Sequence, residues 1–363
     1  MNILLRDAGR LSKAFFFFGL LICISSCSFP PEADLLPAEK DKSVEATWKA
    51  MGTFAGLTVS GGGRKHFEKY ASVAKETFSE LENSLSLFNP GSDISRINQL
   101  AGKSAITVSA GAADVLGIAL KYAEISRGSF DPTVAPLVRL WGFNGETVPN
   151  KPPDEAIIHA TLPSIGYTHL TVSGRQVYLD AERMGVDIGG IAKGYAVDVC
   201  YRKLAAMGAR NIMINLGGNI RCGGLARGNR PWKIGVRNPF NRDEIIGTII
   251  LTQGMAVATS GNYERFVTIG NEQYAHIIDP RSGYPVRGMA SVTVISTNAA
   301  EADGMSTALF VLGMKESRTV LARMTNCHAL FIPDEHPMRI YLSASFKKHF
   351  DCRPAYTDRI KDL

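Results

Sequence analysis

The sequence predicts an α+β fold: a single large domain of two lobes, with a mainly antiparallel sheet and flanking helices. Two observations point there. Apolar residues recur at spacings of three and four through the first half of the chain, while strand patterns dominate from residue 211 onward. Those strands come in runs separated by turn signals at hairpin distances, and do not alternate with helices as in a doubly wound parallel sheet.

Residues 1–26 stand apart from that fold. Arg6, Arg10 and Lys13 precede an apolar run over residues 14–24, short for a bilayer span but right for a secretory leader. Ile24-Ser25-Ser26-Cys27 then reads as a bacterial lipobox, with Cys27 as the lipidated first mature residue. Residues 27–45, with Pro30, Pro31 and Pro37, form a tether, and residues 46–350 the folded domain. This pattern predicts a membrane attachment through lipid, on the periplasmic face and by preference at the inner membrane.

Without the leader the chain keeps 37 basic against 33 acidic residues, too mild a surplus to argue for nucleic acid. Cys200, Cys222, Cys327 and Cys352 show no metal-binding spacing. An oxidising compartment would permit a disulfide among them, but the sequence fixes no pairing.

The domain opens with an alternating strand over residues 48–60. Phe67, Ala71, Ala74, Phe78, Leu81 and Leu85 then mark an amphipathic helix, broken at Asn89-Pro90-Gly91. Ser92 caps a short helix that carries Arg96 and Asn98. Residues 109–126 make another helix, ended at Gly128, and residues 136–141 a short one. A further helix and a hairpin turning at Ser173-Gly174 follow. Residues 186–188 read as a strand end, Gly189-Gly190 as a tight turn, and the residues up to Gly208 as a helix. Strands are expected over residues 211–215, 232–237, 245–252, 255–258, 265–269, 273–278 and 291–296. Two helices between residues 300 and 324 and a strand at 329–332 close the pattern.

The turn at Gly189-Gly190 is the first place where chemistry shows. A turn without side chains at a helix start lets backbone amides approach an anion. Asp187 and Lys193 flank it; Asp198 is an alternative ion partner for the lysine. A tight helix packing would produce the same glycines, so this stretch alone does not decide.

More of the chain does. Met51-Gly52-Thr53, Ser92-Asp93-Ile94-Ser95-Arg96-Ile97-Asn98, Phe130-Asp131-Pro132-Thr133-Val134 and residues 186–198 resemble, in order, blocks of the ApbE family of flavin transferases. So do Asn215-Leu216-Gly217-Gly218-Asn219, Ala258-Thr259-Ser260-Gly261, His276-Ile277-Ile278-Asp279-Pro280 and Ala302-Asp303-Gly304-Met305-Ser306-Thr307-Ala308. The resemblance spans roughly residues 48–315. It implies an ApbE-like fold and a magnesium-dependent transfer of FMN from FAD to a threonine hydroxyl of an acceptor protein, with release of AMP.

The resemblance also implies roles. Met51, Phe88, Ser129, Phe130, Asp131, Asp187, Lys193, Thr259, Ser260, Gly261 and Ile277 would contact FAD. Phe88 stands where the family often has tyrosine, so a stacking face remains without the hydroxyl. Gly190, through its carbonyl, and Asp303, Ser306 and Thr307 would hold Mg2+. His276 would orient or deprotonate the acceptor threonine. The acceptor would be a membrane electron-transfer subunit, and a homodimer is compatible with the chain. A magnesium-dependent FAD pyrophosphatase using water, or a flavin-storing lipoprotein, are the alternatives; the Asp303, Ser306 and Thr307 set argues against storage.

Overall fold

The computed structural model describes residues 43–363, apart from residues 62, 146–147, 253, 264–265 and 271. The leader, Cys27 and the tether to residue 42 therefore lie outside the described residues. The described chain starts as a hairpin of β1 (Ser43–Ala50) and β2 (Thr53–Ser60), paired from Ser43 against Ser60 to Ala50 against Thr53. The single strand expected over residues 48–60 is thus parts of two. Met51 and Gly52 make the turn with φ of 48° and 69°, the left-handed pair that suits the twist of a two-residue hairpin. Methionine is a poor signal for such a turn, which is why the alternation ran on across it. Its amide is held by Glu82 Oε2 at 3.0 Å.

The next helices follow the sequence closely. α1 (Arg64–Leu85) buries the predicted stripe, and α2 (Asp93–Gln99) is capped by the Ser92 hydroxyl, which accepts from the Ser95 amide. After β3 (Ile106–Thr107) comes α3 (Ala110–Ile125), capped by Ser109. α4 (Ala135–Leu140) and α5 (Glu155–Thr161) precede β4 (Leu170–Ser173) and β5 (Gln176–Leu179), which join β3 in a small sheet. α6 (Ala192–Ala206) is followed by Gly208 at φ 89°.

The second half is strand-rich as expected. It runs β6 (Ile212–Leu216), β7 (Asn219–Gly223), β8 (Trp232–Asn238), β9 (Asn241–Leu251) and β10 (Ala256–Gly261). β11 (Phe266–Ile269), β12 (Glu272–Ala275) and β13 (Met289–Ser296) lead into α7 (Ala299–Leu321), which breaks at Gly313, φ 65°. The chain ends with β14 (His328–Pro333), β15 (Ile340–Leu342), β16 (Phe350–Cys352) and β17 (Ile360–Asp362). β17 pairs with β15 and β16 with β9, so the fold continues past residue 350. Strands of three residues carry too little alternation to be read from sequence.

The main sheet has the order β1-β2-β6-β7-β10-β13-β14-β15-β17, and only its β15–β17 pairing is parallel. Its two faces are covered differently. Helices α1, α6 and α7 pack on one, over Ala55, Leu57, Ala258 and Val292, and α3 packs against α1 and α7. The sheet of β8, β9 and β16 covers the other, over Val257, Ile295 and Leu330. Leu57, Phe78, Leu116 and Leu309 are fully buried, each worth roughly 1.5–3 kcal/mol relative to exposure. All four cysteines in the described residues are free thiols. Burial pushes the Cys200 thiol up to about 12, so this one is packing and not a nucleophile.

Candidate functional site

One edge of the main sheet gathers the glycine turns. The β6–β7 turn at Gly217-Gly218, with φ of 58° and 92°, lies against the β1–β2 turn: the Gly217 amide donates to Phe54 O at 2.9 Å. A Cβ on Gly217 would stand 2.8 Å from the Thr53 side chain, so glycine is required by contact as well as by φ. Val257 pairs with Ile220 and Ala256 with Arg221, which directs Ser260 and Gly261 toward the same edge. Asn219 is buried there, and its Oδ1 has no partner.

Over that edge α6 and α7 meet at backbone distance. A Cβ on Gly194 would fall 2.2 Å from Ala299 O, so only glycine permits the approach. The contact lets each helix satisfy the other's first turn, whose amides have no partner within their own helix. Asp303 Oδ2, on α7, accepts from the Gly194 amide at 2.9 Å. Asp198, on α6, accepts from the Ala299 and Ala300 amides at 2.9 Å each and from Arg221 Nη1 at 2.5 Å. Asp198 is therefore bound to Arg221 and α7 and is not the partner of Lys193.

Asp303 is 5 % exposed. Burial raises its pKa above the ordinary carboxylate value; the nearby Lys193 charge and the Gly194 amide oppose that shift. One turn further along α7, Thr307 shares its face. Thr307 Oγ1 lies 3.2 Å from Ser260 Oγ, and Ser306 Oγ lies 2.9 Å from the same atom. Ser306 also donates to Asp303 O at 2.9 Å and is wholly buried. Its hydroxyl supports Ser260 and its own helix.

The Gly189-Gly190 turn sits above this cluster. A Cβ built on Gly190 would be 3.1 Å from Thr307 Oγ1 and 3.3 Å from the Phe130 ring. Asp187 Oδ1 accepts from the Gly189 amide at 2.7 Å, and Lys193 Nζ donates to Gly189 O at 3.0 Å, so both flanking charges brace the turn. The strand end expected at residues 186–188 is an extended segment with one bridge, Gly185 to Val134. Asn98 takes the place of a strand partner, accepting from the Val186 amide at 2.6 Å and donating to its carbonyl at 3.0 Å.

The remaining predicted contacts divide. Ser129 donates to Ala308 O at 3.2 Å and is buried. Asp131 accepts from the Thr133 amide and hydroxyl and from the Tyr167 amide, and so shapes its own loop. Its carboxyl was expected to accept from a ligand; burial and these bonds turn it inward. Thr259 pairs with Thr293 Oγ1 at 2.9 Å on β13. Successive strand residues face opposite sides, so Thr259 lies on the Val257 face while Ser260 meets α7. The Thr259 side chain therefore faces the side of the sheet opposite α7. Gly261 ends β10 beside Tyr263. Phe88 is 74 % exposed just beyond α1, whose Glu82 holds the Met51 turn. His276 follows β12 and is half-buried; Ile277 is buried, and its carbonyl accepts from the Val286 amide at 2.9 Å.

The oxygens near Asp303 suit a hard cation. A magnesium ion that shares phosphates with a substrate needs only one or two carboxylates, with hydroxyl or carbonyl oxygens beside them. No group of three His, Cys, Asp or Glu side chains with metal-binding proximity occurs among the described residues.

Residues 51–331 match the family model described as the ApbE family. The FAD:protein FMN transferase of Vibrio cholerae is 33% identical over 269 residues, 74% of this chain and 80% of that protein. The FAD:protein FMN transferase of Escherichia coli K12 is 28% identical over 352 residues, 96% of this chain and 98% of that one. The crystal structure of the ApbE protein of Thermotoga maritima is similar with a TM-score of 0.77 at 32% identity, covering 85% of this chain and 99% of that chain.

Proposed function

The chain belongs to the ApbE family, and we propose that its site acts at the junction of α6, α7 and β10 as an FAD:protein FMN transferase. FMN moves from FAD to an acceptor protein, and AMP is the leaving group. The observation that carries the reading is the buried Asp303 carboxylate, held by the Gly194 amide one helical turn from Thr307 and beneath the Gly190 turn.

Each residue then has a task. The start of α6 presents a helix N-terminus and the Lys193 ammonium to the pyrophosphate of FAD. Asp187 fixes the Gly189 amide and so the height of the turn over the phosphates. Asn219 offers a buried acceptor to a hydroxyl or amino group of the nucleotide. Phe88 and Met51 supply an aromatic and a thioether surface at the open edge for the flavin ring. Asp303, Thr307 and the Gly190 carbonyl would hold Mg2+, which supplies charge neutralisation at the phosphates. Ser260 and Ser306 fix the Thr307 hydroxyl from behind.

The acceptor hydroxyl, a threonine in this reading, attacks the phosphorus on the FMN side. The bond from that phosphorus to the bridging oxygen breaks, and the oxygen leaves with AMP. His276 takes the hydroxyl proton. Such a displacement depends mostly on alignment and on charge at the phosphates, which is what these residues supply.

Cys27 would anchor the chain to the periplasmic face of a bacterial membrane, and a membrane electron-transfer subunit would be the acceptor. The leader and lipobox pattern supports that placement.

The test is to follow AMP from FAD with and without an acceptor protein, before and after chelation of divalent cations. AMP release that needs the acceptor and stops on chelation supports the reading. Release indifferent to both contradicts it.

A further inference from the structure

Close to His276 the structure has a cavity of about 440 Å3 lined by Trp141, Pro152, Pro153, Tyr274, Tyr284, Pro285 and Arg287. Trp141 is fully buried and forms its floor, with Nε1 donating to Gly283 O at 2.9 Å. The Tyr274 and Tyr284 rings lie 5.3 and 6.1 Å from the indole, and the prolines complete an apolar wall. Tyr284 is 40 % exposed, so one side of the cavity is open.

This wall is continuous with the segment that follows His276. The Val286 amide donates to Ile277 O and the Asp279 amide to Tyr284 O, each at 2.9 Å, and Ile278 bridges to Pro285. Tyr274 lies two residues before His276, about 7 Å of extended chain. Whatever fills the cavity thus touches the same segment that carries the residue handling the incoming hydroxyl.

The chemistry of the lining selects the occupant. Prolines and aromatic rings stack well on other prolines and aromatic rings. Among the described residues no carboxamide lines the cavity to read the edge of a base, and the Tyr274 hydroxyl is committed to Glu272 at 2.9 Å. Among the described residues the one charged side chain in the lining is Arg287, 70 % exposed, over the Tyr274 ring and paired with the exposed Glu272. An exposed pair of this kind exchanges partners at little cost. The rim therefore offers a guanidinium to an incoming carboxylate.

We propose that this cavity docks the acceptor protein, taking a proline or aromatic side chain that stands next to an acidic residue in the segment flanking the target hydroxyl. The inference rests on the transferase reading and names what its site recognises in the partner. FAD binds elsewhere, at the α6–α7 junction.

The test uses the full chain and a panel of fluorescent threonine peptides with Trp-Pro-Asp at successive offsets from the threonine, each matched by an Ala-Ala-Lys counterpart. Binding is read by polarisation without FAD, and flavinylation by mass. The best Trp-Pro-Asp peptide should bind at least tenfold tighter than its counterpart. Tyr284→Ala and Arg287→Glu should each weaken it at least fivefold with FAD affinity unchanged, and Arg287→Gln should lose the preference for Asp alone. Equal binding of the paired peptides, or variants that bind them as the wild type does, would overturn the proposal. So would variants that lose affinity for FAD or AMP, since the cavity would then hold the adenosine half. Docking without any flavinylation would leave the cavity's role standing and count against the transferase reading alone.

Discussion

Replacing Asp303 in two ways separates its architectural task from its chemical one. Its carboxylate accepts from the Gly194 amide at the point where α6 and α7 touch. Asp303→Ala removes that acceptor and leaves a buried amide unpaired, a loss of about 1–3 kcal/mol. In a domain of this size each kcal/mol moves Tm by roughly 1.5 °C, so the alanine variant should melt a few degrees lower. Asp303→Asn keeps an oxygen for Gly194 and removes only the charge that burial disfavours, so its Tm without metal should equal or exceed that of the wild type. Both should lose flavin transfer. Melting with and without Mg2+ completes the comparison: the wild type should gain about 2.7 kcal/mol at a hundredfold excess over Kd, and neither variant should respond. Full transfer by a folded Asp303→Asn protein, or an undiminished magnesium response, would refute the assignment.

Gly194→Ala places a Cβ 2.2 Å from Ala299 O, so it should cost about 1–3 kcal/mol or more by melting and reduce transfer together with stability. Asp198→Ala leaves Arg221 and two α7 amides without their carboxylate; chemical denaturation should show a loss of about 3–5 kcal/mol. Thr259→Val should leave FAD affinity unchanged while Ser260→Ala weakens magnesium-dependent transfer, because the two side chains face opposite sides of β10; titration and rate measurements would contradict this if the order were reversed. Burial, together with His349 and Lys348, lowers the pKa of His328, while Glu301 opposes. An unfolded chain then binds more protons near and below the ordinary histidine value of about 6.5, so stability should fall as pH drops through that value. His328→Gln should flatten the slope of Tm against pH between 7 and 5, and an unchanged slope would remove His328 from the account.

Much of the fold was legible because the helices of the first half bury stripes at regular spacing and carry serine caps at Ser92 and Ser109. What escaped had a physical reason. The β1–β2 turn uses Met51, whose side chain gives no turn signal, and β15 to β17 are too short to show alternation. Residues 186–188 look like a strand because they are apolar, yet Asn98 supplies most of their pairing, a long-range bond that periodicity cannot reveal. At the site, Asp303, Thr307 and Gly190 came together as read. The Asp131 and Thr259 side chains turn to partners of their own, Thr133 and Tyr167 for one and Thr293 for the other, because a motif block fixes neighbours in sequence and says nothing of which way each side chain turns. The reciprocal capping by Asp198 and Asp303 was hidden for a related reason: each carboxylate serves the helix it does not belong to. Gly194 was its one available trace, a glycine in a first helical turn where a better helix former would cost less.

The most direct measurement is the mass of an acceptor protein after incubation with the full chain, FAD and magnesium. The acceptor should gain one FMN less one water, with one AMP released for each, and the Asp303→Asn protein should leave it unchanged. An acceptor of unaltered mass, beside FMN and AMP appearing at the same rate in its absence, would contradict flavin transfer by this chain.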